Sequence, residues 1–495
     1  MSNSYEVIGV CGAGAMGAGI AQVAAQAGAR VVVFDRDDAA LERGKATVAK
    51  GAAALLKRGK IDEAGAVALE ASISWKTNVD VLAGADLVIE AIIEDAGVKQ
   101  DLFAALETKL REDAVIATNT SSLAVTHLAS SLKRPARFLG LHFFNPAPIM
   151  KLVEVVSGAD TDPAIARECR ALMESWGKVA VFARDVPGFI VNRVARPFYG
   201  EGWRALEEGA ADAATLDFLY KDLAGFRMGP MELGDLIGHD INSAAAKSVF
   251  DAYHGRTRFR PALAQEQLVA AGRLGRKSGR GVYDHADGAD APSPFFLERS
   301  EQGGEVRLSP NADAPVGEFL RALDVPTNAD EDMAPPCATI DGVFVDVTFG
   351  PTAKALAAQY GAPFLLLDWT RDPKSARAIA FSASDDAARG AGRRLAAMAG
   401  KEAIELTDRP GLVVFRTLAQ LANCAADAVR DGVADAGAID LAMMNGVNYP
   451  FGPMAWMREV GAGAVAQALE VIAEWTGDPI YQPSEILRAL EIEEG

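Results

Sequence analysis

The sequence predicts an α/β domain followed by an all-α domain, and then a reduced copy of both. Short apolar runs alternate with helical segments in the first part of the chain, as in α/β proteins. Residues 187–283 instead show helical periodicity and few strand signals. The phrase PGFIVNR at 187–193 returns as PGLVVFR at 410–416, which indicates an internal repeat.

Composition bounds the possible functions. The chain has 495 residues and a formal net charge of −18, and its 67 acidic residues against 49 basic ones argue against a nucleic-acid partner. The four cysteines form no CxxC pair, so we expect no metal site and no disulfide framework, and a cytoplasmic location fits best. The uncharged stretch 7–29 is rich in Gly and Ala and follows no basic residues, which argues against a membrane span or a signal peptide.

A strand, a glycine turn and a helix are predicted over residues 5–28. Gly12 permits the tight turn, Gly14 lets a pyrophosphate approach the backbone, and Gly17 allows the helix to pack closely on the strand. The next strand ends at Asp35, whose carboxylate is placed to accept the ribose hydroxyls of an adenosine and would repel a 2′-phosphate. This pattern predicts a Rossmann-type unit that binds NAD rather than NADP. The residues predicted to hold the NAD here are Gly12, Gly14, Ala15, Met16, Gly17 and Asp35.

A second group of candidate residues follows later strands. Strand-like runs cover 85–92, 114–119, 137–144 and 151–157, and their alternation with helices predicts a doubly wound sheet. Ligand residues in such sheets lie just past the strand ends, where Glu94, Lys99 and Ser121 stand.

The stretch LHFFNPAPIMKLVEV predicts a hairpin centred on Pro148. Such a hairpin places His142 and Glu154 directly opposite each other on one face. A carboxylate that orients an imidazole favours a general base, which would take a hydroxyl proton while a hydride leaves for a nicotinamide.

These motifs resemble the bacterial 3-hydroxyacyl-CoA dehydrogenases. The resemblance rests on GAGAMGAGIAQ, NTSSL, LHFFNPAPIMKLVEVVSG, PGFIVNRVARPFY, GPMELGDLIG and GRKSGRGVYD, in that order over residues 5–285. It implies NAD as the cofactor and an acyl-CoA substrate whose 3-hydroxyl is oxidised to a ketone. It also implies a catalytic set of His142, Glu154, Ser121 and Asn192, with Glu94, Lys99, Ser121, Asn145 and Lys277 around the NAD.

The basic cluster LLKRGK suggests where coenzyme A is bound. Lys57, Arg58 and Lys60 stand together in an otherwise acidic protein, so we expect them to hold the CoA phosphates. The alternative, a solvated helix face, explains the cluster equally well.

The repeat completes the predicted domain organisation. At an offset of 223 residues, Pro187 meets Pro410 and Arg193 meets Arg416 without a gap. The predicted fold is an α/β Rossmann-type dinucleotide-binding domain, an all-α dehydrogenase domain, a reduced degenerate Rossmann-like unit and a second all-α repeat. The predicted boundaries are 1–186 for the NAD-binding domain, 187–285 for the first helical domain, 286–336 for an exposed linker that holds a hairpin around GEVRLS, 337–409 for the reduced unit and 410–495 for the second repeat.

The reduced unit is predicted to be a silent copy of the first strand, turn and helix. At an offset of 333, Asp35 meets Asp368, but Val345 and Val347 stand in place of the first two turn glycines. Side chains there would block a pyrophosphate, so we expect no NAD in this unit and no counterpart of the LHFFNP hairpin. We expect the two helical repeats to pack as an internal pseudo-dimer, with a homodimer left open.

The two-half arrangement resembles the branch of the family that oxidises 3-hydroxyadipyl-CoA in phenylacetate catabolism. Related two-half enzymes act on 3-hydroxybutyryl-CoA, and the motifs do not name the acyl chain. A dicarboxylic acyl group would require a cation, for which Arg193, Arg196 and Arg227 are candidates. A non-catalytic NAD-binding structural relative is the alternative from another class, and a decarboxylating 3-hydroxyacid dehydrogenase with a lysine base is the alternative enzyme. The intact catalytic set argues against the first, and the His–Glu hairpin argues against the second.

Overall fold

A computed structural model describes residues 5–298, 300, 303–309, 315–333 and 336–494. The remaining residues lie at the two ends and within the predicted linker, so parts of those predictions fall outside the described residues. The chain divides into two compact units, one of residues 1–193 with 431–447 and one of residues 194–430 with 448–495. A segment of the second repeat thus belongs to the first unit, and the sequence-based domain boundaries stay a prediction.

The first unit is an α/β domain. Its strands are β1 Val7–Cys11, β2 Arg30–Phe34, β3 Ile73–Lys76, β4 Leu87–Glu90, β5 Val115–Thr118, β6 Phe138–Phe143, β7 Leu152–Ser157 and β8 Val179–Arg184. Its helices are α1 Ala15–Gln26, α2 Asp38–Lys57, α3 Glu63–Ala71, α4 Ala96–Glu107, α5 Val125–Ala129 and α6 Pro163–Ser175. Aspartate side chains accept backbone N–H groups at the starts of α2, α3, α4 and α6, which satisfies donors that the first turn leaves unpaired.

The first sheet has the strand order β3-β2-β1-β4-β5-β6-β7-β8. All neighbouring strands are parallel except β6 and β7. The doubly wound sheet and the strands predicted within 5–157 are therefore confirmed. The sequence analysis missed β3 and β8, and β8 is an edge strand whose alternation of buried and exposed residues is short.

The helices that follow begin directly after the first sheet. They are α7 Val191–Val194, α8 Arg196–Glu207, α9 Ala213–Asp222, α10 Pro230–Ile237, α11 His239–Ala252 and α12 Leu263–Ala270. The predicted helical character of residues 187–283 is confirmed. Proline at the first or second position of α8 and α10 helps to start these helices, because it lacks the N–H that a first turn leaves unpaired.

A second sheet lies in the second unit. It has the order β10-β9-β11-β12-β13-β14-β15. Its strands are β9 Val306–Leu308, β10 Thr327–Ala329, β11 Ala338–Ile340, β12 Val343–Val347, β13 Phe364–Leu367, β14 Ala378–Ala383 and β15 Glu402–Glu405. The helices along this stretch are α13 Pro315–Ala322, α14 Ala353–Tyr360 and α15 Asp386–Met398.

The prediction of an exposed linker over residues 286–336 is wrong for its second part. Strands β9 and β10 and helix α13 arise from it, and Val306, Leu308, Phe319 and Leu320 join the core of the second sheet. Strand β9 pairs with β11 and β10 rather than forming a local hairpin around GEVRLS. This stretch is rich in Pro and Gly, as loops are. Its apolar residues nevertheless pack into the core of the second sheet, and their burial decides the structure.

The offset-333 alignment of the reduced unit with the first strand, turn and helix is also wrong. The pairs β12–β13, β13–β14 and β14–β15 are parallel, antiparallel and parallel. The same pattern occurs in β5–β6, β6–β7 and β7–β8, whereas β1, β2 and β4 have only parallel neighbours. The strands of the reduced unit therefore correspond to β5–β8, which include the β6–β7 hairpin. The reduced unit lacks counterparts of the strands that carry the glycine turn.

A shared anchor supports this correspondence. Both oxygens of Asp185 accept N–H groups at the start of α5, from Val125 (2.9 Å) and Thr126 (2.7 Å). Both oxygens of Asp408 accept N–H groups at the start of α14, from the backbone of residues 353 (2.8 Å) and 354 (3.0 Å). The two aspartates are 223 residues apart, which is the offset of the helical repeats.

The second helical repeat completes the chain. Its helices are α16 Val414–Arg430, α17 Ala436–Gly446, α18 Pro453–Val460, α19 Ala462–Thr476 and α20 Glu485–Glu494. Helix α16 packs against α8 of the first repeat. The hydroxyl of Tyr220 on α9 lies 2.7 Å from the hydroxyl of Thr417 on α16. Arg416 forms an ion pair with Glu208 at 3.0 Å. The two repeats thus share buried contacts.

Contacts between the repeats occur in reciprocal pairs. The Arg184 N–H donates to the Val433 carbonyl (2.8 Å), and the Thr407 N–H donates to the Ala210 carbonyl (3.1 Å). Each residue of the first bond stands 223 positions from its counterpart in the second. The ion pairs repeat this relation: Arg193 with Asp431, and Arg416 with Glu208. Reciprocal contacts of this kind also occur in isologous interfaces.

Candidate active site

The predicted hairpin brings His142 and Glu154 together. They are direct register partners on β6 and β7, and His142 Nδ1 lies 2.6 Å from Glu154 Oε2. Both side chains are buried, and the rings of Phe144 and Phe189 lie 4.5 Å and 5.7 Å from the imidazole. Because Glu154 engages Nδ1, Nε2 is the nitrogen left to exchange a proton.

The other oxygen of Glu154 holds the start of α7. Oε1 accepts the backbone N–H groups of Ile190 and Val191, both at 3.0 Å. These donors belong to the first turn of a helix, where an anion also interacts favourably with the helix dipole. Asn192 follows immediately and is half-buried. One carboxylate therefore orients both the predicted base and the segment that carries the predicted substrate-binding amide.

The segment before α7 has an unusual backbone. Gly188 has φ +78°, and Phe189 has φ +46°, a value that non-glycine residues rarely adopt. The second copy repeats both values closely, with φ +71° at Gly411 and +48° at Leu412. The PG phrase therefore encodes a specific turn in both halves.

Glu94 organises the NTSS loop. Its Oε1 accepts the Thr120 hydroxyl (2.6 Å), the Ser121 N–H (3.0 Å) and the Ser122 hydroxyl (2.9 Å). Burial alone would raise the pKa of Glu94, but the hydrogen bond from Thr120 and the charge of Lys99 outweigh it and lower the pKa below its usual value. The backbone N–H of Ser121 thus donates to an ionised carboxylate.

Lys99 lies beneath this loop. Its side chain is 1% exposed, and its ammonium contacts Glu90 Oε1 (2.6 Å) and Glu94 Oε2 (3.1 Å). Glu90 in turn accepts the Thr118 hydroxyl at 2.7 Å. Lys99 therefore stabilises the loop from below. The sequence analysis missed Glu90, although a carboxylate that ends the apolar run LVIE is a signal for a buried ion pair.

The glycine turn fits a dinucleotide. A Cβ on Gly12, at φ +101°, would lie 2.5 Å from the Ala91 carbonyl oxygen, and a Cβ on Gly17 would lie 1.9 Å from the Gly12 oxygen. A Cβ on Gly14 would meet no atom within 4 Å. Gly14 thus caps α1 beside open space, which is what the approach of a pyrophosphate requires.

Asp35 occupies its predicted place after β2. Its Oδ2 accepts the Ala13 N–H at 2.8 Å, and its Oδ1 accepts the Asp37 N–H at 3.0 Å. Ala15 is exposed and Met16 is half-buried beside the turn. The residues predicted to hold the pyrophosphate and ribose therefore lie around one turn.

The remaining predicted residues lie on the surface of the two units. Lys57, Arg58, Lys60 and Asn145 are exposed in the first unit. Lys277 belongs to the second unit, where its ammonium lies 2.7 Å from Asp240 Oδ2. Among the described residues, no group of His, Cys, Asp and Glu is placed to hold a metal ion, and no helix is long and apolar enough to span a membrane.

Family models match nearly the whole chain. The NAD binding domain of 3-hydroxyacyl-CoA dehydrogenase matches residues 7–186, and the C-terminal domain of the same enzyme matches twice, at 188–285 and 411–493. The reduced Rossmann-fold domain of 3-hydroxybutyryl-CoA dehydrogenase matches 345–410. The predicted helical repeat and the predicted reduced unit are confirmed.

Individual proteins agree with this result. A 3-hydroxyadipyl-CoA dehydrogenase of Escherichia coli is 40% identical over 99% of this chain and 98% of its own length. A crystal structure from E. coli K12, described as 3-hydroxybutyryl-CoA dehydrogenase, covers 99% of both chains at 38% identity and a TM-score of 0.89. A probable 3-hydroxybutyryl-CoA dehydrogenase of Deinococcus radiodurans is 40% identical but covers 56% of this chain and 99% of its own. This chain therefore belongs to the 3-hydroxyacyl-CoA dehydrogenase family and is an NAD-dependent oxidoreductase.

Proposed function

We propose that this enzyme oxidises 3-hydroxyadipyl-CoA to 3-oxoadipyl-CoA in the cytoplasm, as a step of phenylacetate catabolism. The observation that carries the proposal is the likeness over nearly the full length to a 3-hydroxyadipyl-CoA dehydrogenase, which includes the reduced unit and the second repeat. Relatives that lack these two segments, such as the D. radiodurans protein, match little more than half of the chain.

The catalytic roles follow from the site. His142 takes the proton of the 3-hydroxyl on Nε2, and Glu154 on Nδ1 stabilises the imidazolium that results. NAD⁺, when bound, would accept the hydride from the carbon that carries this hydroxyl. Ser121 and Asn192 hydrogen-bond the substrate oxygen, and Lys57, Arg58 and Lys60 hold the CoA phosphates. Gly12, Gly14, Ala15, Met16, Gly17 and Asp35 would hold the cofactor, with Glu94, Ser121 and Asn145 as further contacts and Lys99 supporting Glu94.

A second candidate substrate is 3-hydroxybutyryl-CoA. It is favoured by the description of the E. coli crystal structure, which covers the whole chain. Steady-state kcat/KM for the two thioesters at saturating NAD⁺ decides between them. We expect at least a tenfold preference for 3-hydroxyadipyl-CoA, and a preference for the butyryl thioester would overturn the proposal.

We also propose that the two helical repeats form an internal pseudo-dimer, so that one chain supplies both halves of a two-fold interface. The reciprocal bonds at Arg184 and Thr407 support this. Hydrogen exchange on an Arg416→Met variant tests it, because the Arg416 ion pair joins the repeats. We expect protection to fall in α8 and α16 together. Loss confined to the second repeat would contradict the pseudo-dimer.

A further inference from the structure

Arg196 is a cation without an acidic partner. It begins α8 in the second unit, and its Nε and Nη1 atoms are buried without a hydrogen-bond partner. Its contact is with the ring of Tyr199, whose centroid lies 5.3 Å from the guanidinium carbon. Among the described residues no carboxylate pairs with it, and burial lowers the pKa of Arg196. Leaving buried donors unsatisfied is unfavourable, because they have lost their hydrogen bonds to water.

The other cations around the same cavity are paired. Arg204 contacts Glu201 at 2.7 Å, Arg258 contacts Asp427 at 2.8 Å, and Arg260 contacts Asp478 at 2.5 Å. Among the described residues that line this cavity, Arg196 is therefore the cation that lacks a counter-charge.

Trp203 supplies a further unused donor. Its indole Nε1 is buried without a partner, and the side chain lines the same cavity as Arg196. The unsatisfied atoms of the residues that line this cavity are all N–H groups, which an acceptor would satisfy. The guanidinium favours one that carries negative charge.

The size of the cavity limits the ligand. Its volume is about 30 Å³. One water needs roughly 10–15 Å³ of such space, so the cavity holds a group of two or three heavy atoms. A carboxylate meets this limit, whereas a phosphate with its ester chain is larger.

The two other arginines proposed from the sequence are less suited. Arg193 forms an ion pair with Asp431. Arg227 is exposed to solvent, where water satisfies its charge. The structure therefore separates the three candidates by burial and pairing.

We propose that Arg196 and Trp203 form a carboxylate-binding site in the helical unit. The carboxylate is that of a free small dicarboxylate, and this proposal does not rest on the proposed function.

The test uses Arg196→Met, which removes the charge and keeps the aliphatic stem, and Trp203→Phe, which removes the N–H and keeps a ring. Arg227→Met is the matched control, because this exposed arginine lies outside the proposed site. The kcat/KM of each variant is measured with 3-hydroxyadipyl-CoA and 3-hydroxybutyryl-CoA. In parallel, adipate is titrated calorimetrically into the wild type and each variant. Thermal unfolding checks that the variants fold.

We expect Arg196→Met to abolish adipate binding and to leave the ratio of the two kcat/KM values as it was. Trp203→Phe shows the same pattern with a smaller effect. Unchanged kinetics together with unchanged adipate titration overturn the site and assign the cavity to water. A wild type that prefers the butyryl thioester defeats the proposed function alone, and the adipate titration then decides the site.

Discussion

Strands β5–β8 with the helix that follows them, and strands β12–β15 with theirs, share a backbone arrangement. Their side chains at the equivalent positions differ. In the first copy, β5–β8 lead to the PGFIVNR segment, and in the second, β12–β15 lead to PGLVVFR. Strand register places Asp368 where the first copy has His142, and Ala380 where it has Glu154. Both residues that we propose for proton transfer are thus replaced in the second copy.

The substrate-binding positions changed in the same direction. The ungapped stretch between the matching strands and helices places Phe349 opposite Ser121, and the helical offset places Phe415 opposite Asn192. The rings of Phe349 and Phe415 lie 5.1 Å apart, and Trp456 lies 5.9 Å from Phe415. Aromatic packing fills the region that in the first copy is left to a ligand.

One task is retained in both copies. Asp368 accepts the N–H groups of Val413 (3.0 Å), Val414 (2.8 Å) and Phe415 (3.1 Å), as Glu154 accepts those at the start of α7. The carboxylate has moved to the neighbouring strand, but the helix start is still satisfied. Both copies therefore keep a carboxylate acceptor at the start of the helix, and only the first copy has the histidine that we propose as the base.

The largest expected effect is a loss of activity when His142 of the first copy is changed, with no such loss at the equivalent position of the second copy. His142→Ala removes the base, so we expect kcat to fall on the order of 10²–10⁴-fold. NAD⁺ affinity, measured by fluorescence titration, stays unchanged. Asp368→Asn at the equivalent position is the matched control and leaves kcat within about twofold. An equal loss of kcat in both variants would mean that His142 acts through the fold and not as the base.

The next effect concerns stability. Phe415→Asn places the residue type of Asn192, the equivalent position in the first copy, within a fully buried aromatic cluster. Losing the ring and burying an amide should lower the free energy of unfolding by about 3–5 kcal/mol in urea titrations. Phe415→Leu, which keeps an apolar side chain, loses less. An Asn variant as stable as the wild type would contradict the view that packing alone maintains this position.

The smallest effect is a pH dependence. Burial raises the pKa of Asp368 to about 6, above its ordinary value of 3.8, and the backbone N–H groups only partly offset this. Folding therefore favours the protonated form, so this contribution is full below pH 4 and is lost as the pH rises through 6, by up to about 3 kcal/mol. Urea unfolding of the wild type and Asp368→Asn from pH 4 to 7 measures it. A constant difference between the two would show that Asp368 ionises normally.

Sequence reasoning was most successful where period and symmetry fix the structure. The hairpin centred on Pro148 determines the register, and hence the pairing of His142 with Glu154. The helical repeat was visible because its offset is constant over many residues. By contrast, the second role of Glu154 depends on where residues 190 and 191 fold back, which no local pattern encodes.

The reduced unit was misaligned for a related reason. Its match to the late sheet runs through three different offsets, because loops were shortened and the catalytic residues were replaced. A few chance identities around Gly350 and Asp368 then outweighed the true correspondence. Strand direction resolved it, because an antiparallel neighbour excludes the first part of the sheet.

The reciprocal contacts have an evolutionary consequence. In a symmetric dimer of identical chains, every substitution at the interface appears on both sides, so neither subunit can abandon catalysis without the other. Joining the two halves in one chain breaks this constraint. Arg193 and Asp431 can be selected for the working half while their counterparts Arg416 and Glu208 drift separately. Covalent linkage also keeps each repeat at a high effective concentration for the other.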